Sequence, residues 1–243
     1  MEKRKEIIGT RILPVQPVLR EYFEGDQQEL LSAIWSIVNT SCQLNLAVED
    51  FKIEESELYP IEDLASNPIL LRLLQILVLL KKPKKVLEIG TFLGVSAMYM
   101  ASVLPAESEL ITVEKYGHFC DIAKRNFLSN GLENKIKIVE GDALEAIKEF
   151  QEKSEKFDLI FLDGNKENYL DYWKILAPLL VREGLFIVDD VLFHGDVLNK
   201  QPKTPKGRGV LEFLEYTQSD KGYHKILLPI GNGVMLMFKK EVA

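Results

Sequence analysis

Two cysteines, Cys42 and Cys120, are all that a chain of 243 residues carries. They form neither a metal-ligand spacing nor a disulfide framework, so reduced thiols in a cytoplasmic protein are expected. Positive charge is in deficit as well. A formal net charge of −7 excludes broad coating of nucleic acid, though not a local basic patch. No apolar run is long enough to span a bilayer, and the longest, Ile69 to Leu80, is interrupted by Arg72 and Gln75. The charged start, Met1-Glu2-Lys3-Arg4-Lys5-Glu6, is not followed by the apolar segment of an export signal. No membrane partner is therefore expected. Internal repeats, low-complexity tracts and long linkers are missing too. What remains has ordinary apolar and charged fractions, and the length suits one large domain or a domain with an extension.

Residues 1–66 read as a helical, partly irregular N-terminal extension, in which Asp26 caps a helix through Leu30, Leu31, Ile34, Ile37 and Val38. Residues 67–243 read as the main domain. The Ile69–Leu80 run is a buried helix with Asn67 as N-cap, Pro68 at its first position and Pro83 beyond its end. A helix apolar nearly all round must be covered on more than one side, by the extension or by a second subunit. Residues 1–66 are thus expected to act as a lid or dimer contact, in a homodimer. From Lys84 onward short apolar strands alternate with helices. Strands are expected at Lys85–Ile89, Leu110–Val113, Lys135–Val139, Phe157–Leu162, Gly184–Val188, Lys225–Pro229 and Val234–Phe238, with helices between the first five. One helix, from about Phe119, stops at Gly131. The last two strands are joined across Ile230-Gly231-Asn232-Gly233 as a hairpin. The fold class is α/β and Rossmann-like: a mainly parallel sheet with an antiparallel C-terminal hairpin and helices on both faces.

The most informative segment is Val86-Leu87-Glu88-Ile89-Gly90-Thr91-Phe92-Leu93-Gly94. An apolar strand ends in an acid, two glycines follow in E-x-G-x-x-x-G spacing, and a helical pattern starts near Ser96. This is a strand-to-helix handover at which backbone approaches a ligand closely. The dinucleotide fingerprint G-x-G-x-x-G is absent, which disfavours a nicotinamide dehydrogenase, and Glu88 would repel a pyrophosphate. A cationic ligand group suits Glu88 better, and S-adenosylmethionine (SAM) carries an ammonium and a sulfonium and no phosphate. A parallel sheet closed by an antiparallel hairpin is typical of SAM-dependent methyltransferases. The other strand ends also carry acids: Glu114, placed to accept ribose hydroxyls, then Asp142 in Gly141-Asp142-Ala143, Asp163, and Asp189-Asp190. Asp163, Asp189 and Asp190 would repel one another unless a hard cation, Mg²⁺, Mn²⁺ or Ca²⁺, sat among them. The lack of nearby Cys or His argues against zinc.

Leu87–Gly94, Gly141-Asp142-Ala143, the run Phe157 to Tyr169 and Val188-Asp189-Asp190-Val191-Leu192-Phe193-His194-Gly195 together resemble the cation-dependent O-methyltransferases, the family of caffeoyl-CoA and catechol O-methyltransferases and their bacterial relatives. The resemblance covers about residues 64–240. It implies a metal at Asp163, Asp189 and Asp190, and Lys166 as general base beside Asp163 at the catalytic centre. It places Glu88, Gly90, Thr91, Phe92, Ser96, Glu114, Asp142 and Ala143 at cofactor positions, with Asp163 serving that ligand too. His194 and Arg208 are candidates for the acceptor side. There are departures: Asp190 replaces the usual Asn, Asp163-Gly164-Asn165-Lys166 replaces Asp-Ala-Asp-Lys, and Asn67-Pro68-Ile69-Leu70 stands where a Gly-Gln element is usual. The implied activity is in-line methyl transfer from SAM to a hydroxyl of a small catechol-like or vicinal-oxygen acceptor. The stretch Lys200 to Arg208, four basic residues without an acid, reads as an irregular loop or a phosphate clamp. It keeps open a tRNA hydroxyuridine methyltransferase. A non-catalytic SAM-binding regulatory module is the alternative of another class.

Overall fold

The computed structural model of the protein describes residues 50–57 and 66–241, together with Glu29, Ser32 and Ile37. The expectations of a capped helix from Asp26 and of a lid or dimer contact built from residues 1–66 therefore lie almost wholly outside the described residues.

Helix α1 (Pro68–Lys81) starts as its sequence demands. Asn67 Oδ1 accepts the Ile69 N–H at 2.9 Å, Pro68 occupies the first turn, and Lys82 ends the helix in the left-handed region with φ 51°. One face, Leu70, Leu71, Leu74 and Val78, is buried, while Ile76, Leu79 and Leu80 stay exposed. Strand β1 (Lys85–Ile89), α2 (Val95–Ser102), β2 (Glu109–Glu114), α3 (Gly117–Ser129), β3 (Ile136–Glu140), α4 (Ala143–Glu152), β4 (Phe157–Leu162), α5 (Tyr169–Leu179) and β5 (Leu180–Val188) alternate. A 3₁₀ turn, Lys166–Asn168, precedes α5. After β5 come a kinked 3₁₀ segment (Phe193–Leu198), α6 (Pro205–Gln218), β6 (Tyr223–Leu228) and β7 (Val234–Lys239). The α3 stop is the expected one: Leu132 N–H reaches Phe127 O at 2.9 Å and Gly131 N–H reaches Leu128 O at 3.1 Å.

The sheet runs β3-β2-β1-β4-β5-β7-β6, with β7 antiparallel to both neighbours and the others parallel. Chain order reverses between β1 and β4, the place where open α/β sheets bind ligands. Side chains alternate between two apolar layers. Leu87, Ile160, Leu162 and Phe186 pack with α4, α5 and α6; Val86, Leu159, Phe161 and Ile187 pack with α1, α2 and α3. Two expectations need correction. Strand β5 begins four residues before Gly184, at Leu180. The stretch Lys200 to Arg208 is not irregular throughout: Thr204 Oγ1 caps Gly207 N–H at 2.9 Å, Pro205 takes the first turn, and α6 runs on from there.

Candidate functional site

At the carboxyl ends of the parallel strands lies an open cleft of about 1040 Å³. Its floor is pinned across the switch point: Gly90 N–H bonds Val113 O at 3.0 Å, Asp163 N–H bonds Ile89 O at 2.9 Å, and Asp189 N–H bonds Leu162 O at 3.0 Å. Gly90 has φ 98°, and a Cβ there would stand 2.4 Å from the Asp163 carbonyl oxygen. The close approach of β1 and β4, as well as the turn, requires a residue without a side chain.

Glu114 braces the turn after β1. Its Oε2 accepts the N–H of Phe92 at 2.9 Å and of Thr91 at 3.3 Å, and its Oε1 accepts Tyr116 N–H at 3.0 Å. Thr91, Phe92, Ser96, Glu114, Asp142, Ala143 and Gly90 all line the cleft. Asp142 caps α4 through Leu144 N–H at 3.0 Å and pairs with Lys115 at 3.2 Å. Against the burden of partial burial, Lys115 and the Leu144 N–H hold the Asp142 carboxyl below its ordinary value.

Glu88, read from the sequence as facing a cationic ligand group, is corrected to a place one layer behind the cleft wall. It is fully buried, and its two oxygens accept the hydroxyls of Ser96 and Thr112, each at 2.5 Å. Thr91 and Thr112 hydroxyls meet at 2.6 Å and extend the chain of bonds. Burial, helped by the charges of Asp163 and Glu114, pushes the Glu88 carboxyl up to about 8. Ser96 lies between Glu88 and the ligand space.

At the opposite end Lys166 Nζ lies 2.6 Å from Asp163 Oδ1 and 2.9 Å from Asp190 Oδ2. Burial alone would lower the lysine; the charges of Asp163 and its neighbours more than offset that and hold it well above its ordinary value. Asp163 is pushed up by burial and by Asp190, against the pull of Lys166. Asp189 is pushed well above the usual carboxylate range by burial, then by Asp163 and Asp190. Its Oδ1 accepts the Asp190 N–H at 2.8 Å, and its carbonyl accepts the buried Tyr169 hydroxyl at 3.0 Å. Asp190 sits at φ 57°, a left-handed conformation that Asp and Asn tolerate better than most residues. Two carboxylates, Asp163 and Asp190, therefore converge on one ammonium, with Asp189 beside them bonded to the Asp190 N–H. Among the described residues no group of three acidic, His or Cys side chains is arranged around a common centre. The donors Asp163, Asp189 and Asp190 suit a hard cation in chemistry and charge, but Asp163 and Asp190 close on Lys166 in this arrangement.

His194 lines the cleft at φ 52°, in a kink shared with Phe193 and Gly195. Arg208 does not line it. This residue is exposed, and its guanidinium bonds the carbonyls of Pro202 and Lys203. Of the four basic residues in that stretch, Lys206 alone reaches the cleft. Residues not singled out for the ligand also line it: Asn67, Tyr116, Phe119, Tyr172 and Asn232. Tyr172 borders both core and cleft. Asn232 carried a usable signal, since it sits between two glycines in the hairpin turn, which is held to the post-β5 loop by Leu192 N–H to Asn232 O at 2.6 Å. No helix among the described residues is long and apolar enough to cross a membrane.

This sheet order, with its reversed final hairpin and its cleft at the β1/β4 reversal, defines the class of Rossmann-like SAM-dependent methyltransferases. An O-methyltransferase from Bacillus cereus, solved in complex with SAH, superposes with a TM-score of 0.68 and 24% identity over 92% of this chain and 96% of its own. A structure described as a caffeoyl-CoA O-methyltransferase homologue from Staphylococcus aureus gives 0.67 and 26% over 86% and 99%. The chain belongs to the O-methyltransferase family, whose profile matches residues 41–240. A catechol O-methyltransferase from Niastella koreensis is 32% identical over 143 residues, which cover 58% of this chain and 65% of that protein, just under two thirds. A caffeoyl-CoA O-methyltransferase from Petunia hybrida is 30% identical over 173 residues, 67% of this chain and 71% of its own.

Proposed function

We propose that this chain transfers a methyl group from SAM to a hydroxyl of a small acceptor with two adjacent oxygens. The observation that carries the reading is the contact of Lys166 with both Asp163 and Asp190 at the end of a cleft whose other end is the Glu114-braced glycine turn. In this reading Glu114 exchanges a backbone partner for the ribose hydroxyls, Ser96 presents its hydroxyl to the methionine end, and Asp142 and Ala143 border the adenine. Family resemblance to catechol and caffeoyl-CoA O-methyltransferases supports the acceptor class.

Asp163, Asp189 and Asp190 would hold a hard divalent cation. Such an ion supplies charge that lowers the pKa of an acceptor hydroxyl. Lys166, held as an ammonium by its two carboxylate partners, keeps the acceptor end from carrying three unbalanced negative charges. With that charge compensated by a bound cation in its place, the ammonium would release its proton to solvent, and the neutral amine would then take the proton of the acceptor hydroxyl. The cleft wall excludes water from one side and holds donor and acceptor in line, where positioning supplies much of the rate. The basic stretch places only Lys206 at the cleft, which gives a tRNA acceptor little support.

The test is methyl transfer from isotopically labelled SAM to catechol and to a 3,4-dihydroxyphenyl acid, before and after chelation. Turnover that is abolished by chelator and restored by Mg²⁺, Mn²⁺ or Ca²⁺ is expected. Full turnover in excess chelator would remove the cation from the reading. SAH binding without turnover on a broad acceptor panel would favour the regulatory module.

A further inference from the structure

Residues 50–57, which form no helix or strand after Asp50, cross the outer surfaces of α2 and α3 and bring Glu55 to the cleft mouth. Two asparagines hold them. Asn130 Oδ1 accepts Lys52 N–H at 2.9 Å while its Nδ2 donates to Lys52 O at 2.8 Å. One helical turn earlier, Asn126 Oδ1 accepts Glu54 N–H at 2.6 Å while its Nδ2 donates to Glu54 O at 3.2 Å. Each carboxamide thus pairs with the segment as a neighbouring strand would. The spacing fits: four helical residues advance about 6 Å and two extended residues about 6.6 Å. Phe51 lies edge-on to Tyr99 at 5.1 Å, and Asp50 accepts the Tyr99 hydroxyl and pairs with Arg72 at 2.7 Å.

Asn126 does one thing more. Its Nδ2 also donates to Leu93 O at 3.0 Å, and the residue is 1% exposed. Both amide hydrogens and the carbonyl are therefore engaged, with the segment on one side and the glycine turn on the other. Leu93 directly follows Gly90, Thr91 and Phe92, which line the cleft. A buried amide shared in this way cannot lose one partner without leaving a polar group unsatisfied.

We propose that residues 50–57 form a clasp over the cofactor end of the cleft, and that Asn126 is a positioning residue that links clasp docking to the shape of the glycine turn. The inference rests on the SAM reading of that cleft. Docking of the clasp fixes the Leu93 carbonyl and pre-forms the turn. A ligand that holds the turn in that shape must, by linkage, favour the docked clasp to the same degree.

The experiment uses the full chain and SAH as probe. Amide hydrogen exchange at Lys52 and Glu54 is followed by mass spectrometry with and without SAH, alongside calorimetric affinity. SAH is expected to slow exchange across 50–57 at least fivefold, the lower end of ordinary coupling. Asn126→Asp keeps the shape, removes both donors, and is expected to lower SAH affinity at least fivefold and abolish that protection. Because a buried, unpaired aspartate is strongly destabilising, Asn130→Ala is measured too. It leaves the Asn126–Leu93 bond in place, loosens the clasp at the cost of one further bond, from Asn130 Nδ2 to the Asn126 carbonyl at 2.7 Å, and is expected to weaken SAH binding and reduce the protection while thermal unfolding stays cooperative. Unchanged SAH affinity in Asn130→Ala, or exchange across 50–57 indifferent to SAH, overturns the linkage and leaves the cofactor reading standing. Failure of the unaltered chain to bind SAH removes both.

Discussion

Replacing Glu88 by Gln tests the electrostatics of the site without substituting a cleft-lining residue. The carboxyl is fully buried and held by two hydroxyls, and it titrates near 8 instead of its ordinary 4.5. The folded chain thus holds this proton more tightly than the unfolded chain does. The contribution to stability is complete below 4.5 and is lost as pH rises to about 8. Within that window the group removes about 1.4 kcal/mol of stability per pH unit, or about 5 kcal/mol across the whole interval. Glutamine has nearly the same volume. It offers an oxygen to one hydroxyl and an amide hydrogen to the other, once that hydroxyl has rotated. It does not titrate. Urea unfolding of both proteins between pH 5 and 9, without ligand, should therefore give curves that diverge as pH rises, with the variant the more stable on the alkaline side. Groups common to both proteins cancel in the difference. Parallel pH curves would refute the reasoning, because they would mean that Glu88 titrates alike in the folded and unfolded chains.

Glu114→Ala removes the acceptor that braces Thr91, Phe92 and Tyr116 N–H groups, and calorimetry should show SAH binding weakened by about 1.5–3 kcal/mol. Gly209→Ala places a Cβ 2.5 Å from Lys166 O and 2.6 Å from Glu167 O, so it should shift the Lys166 turn, lower kcat and leave SAH affinity intact. Overpacking of this kind should also lower stability by about 1–3 kcal/mol, read from urea unfolding. Lys166→Met should slow the chemical step by about 10²–10⁴ in single-turnover assays while cofactor binding persists. A homodimer is expected by light scattering at micromolar concentration, since the exposed Ile76, Leu79 and Leu80 of α1 make a stripe that a partner or the N-terminal residues would cover.

The architecture was legible because strand alternation and helix punctuation are local. The run Lys85–Ile89 is the observed β1 residue for residue, and Asn67-Pro68 starts α1 where its chemistry says it should. What sequence alone misjudged depended on direction. Glu88 lies between Leu87 and Ile89 on β1, so alternation turns it toward α2, where Ser96 waits; reading it as a strand-end acid ignored that parity. Lys206 and Arg208 are two positions apart on a helix and so point about 200° apart. Once Pro205 is seen as a first-turn residue and not a breaker, only one of them can face the cleft. The three aspartates were legible as neighbours at the ends of β4 and β5. That a lysine three residues after Asp163 would reach both Asp163 and Asp190 needed the 3₁₀ turn and the left-handed Asp190, neither of which leaves a pattern in composition.

The same acids link the site to the stability of the fold. Glu88, Asp163 and Asp189 are each pushed above the ordinary carboxylate range mainly by burial, and like charges among their neighbours add to it. A chain selected for stability alone has no reason to gather them at adjoining strand ends, where apolar residues would pack without that penalty. Perturbed carboxyls gathered in and just behind a cleft point to a surface shaped by what it binds. A ligand that brings positive charge to this end of the sheet binds the folded chain and not the unfolded one, so occupancy returns stability in proportion to the logarithm of its concentration over Kd. Affinity for a cationic cofactor and the electrostatic tension among these carboxyls then have one origin, and a substitution that relieves the second should weaken the first.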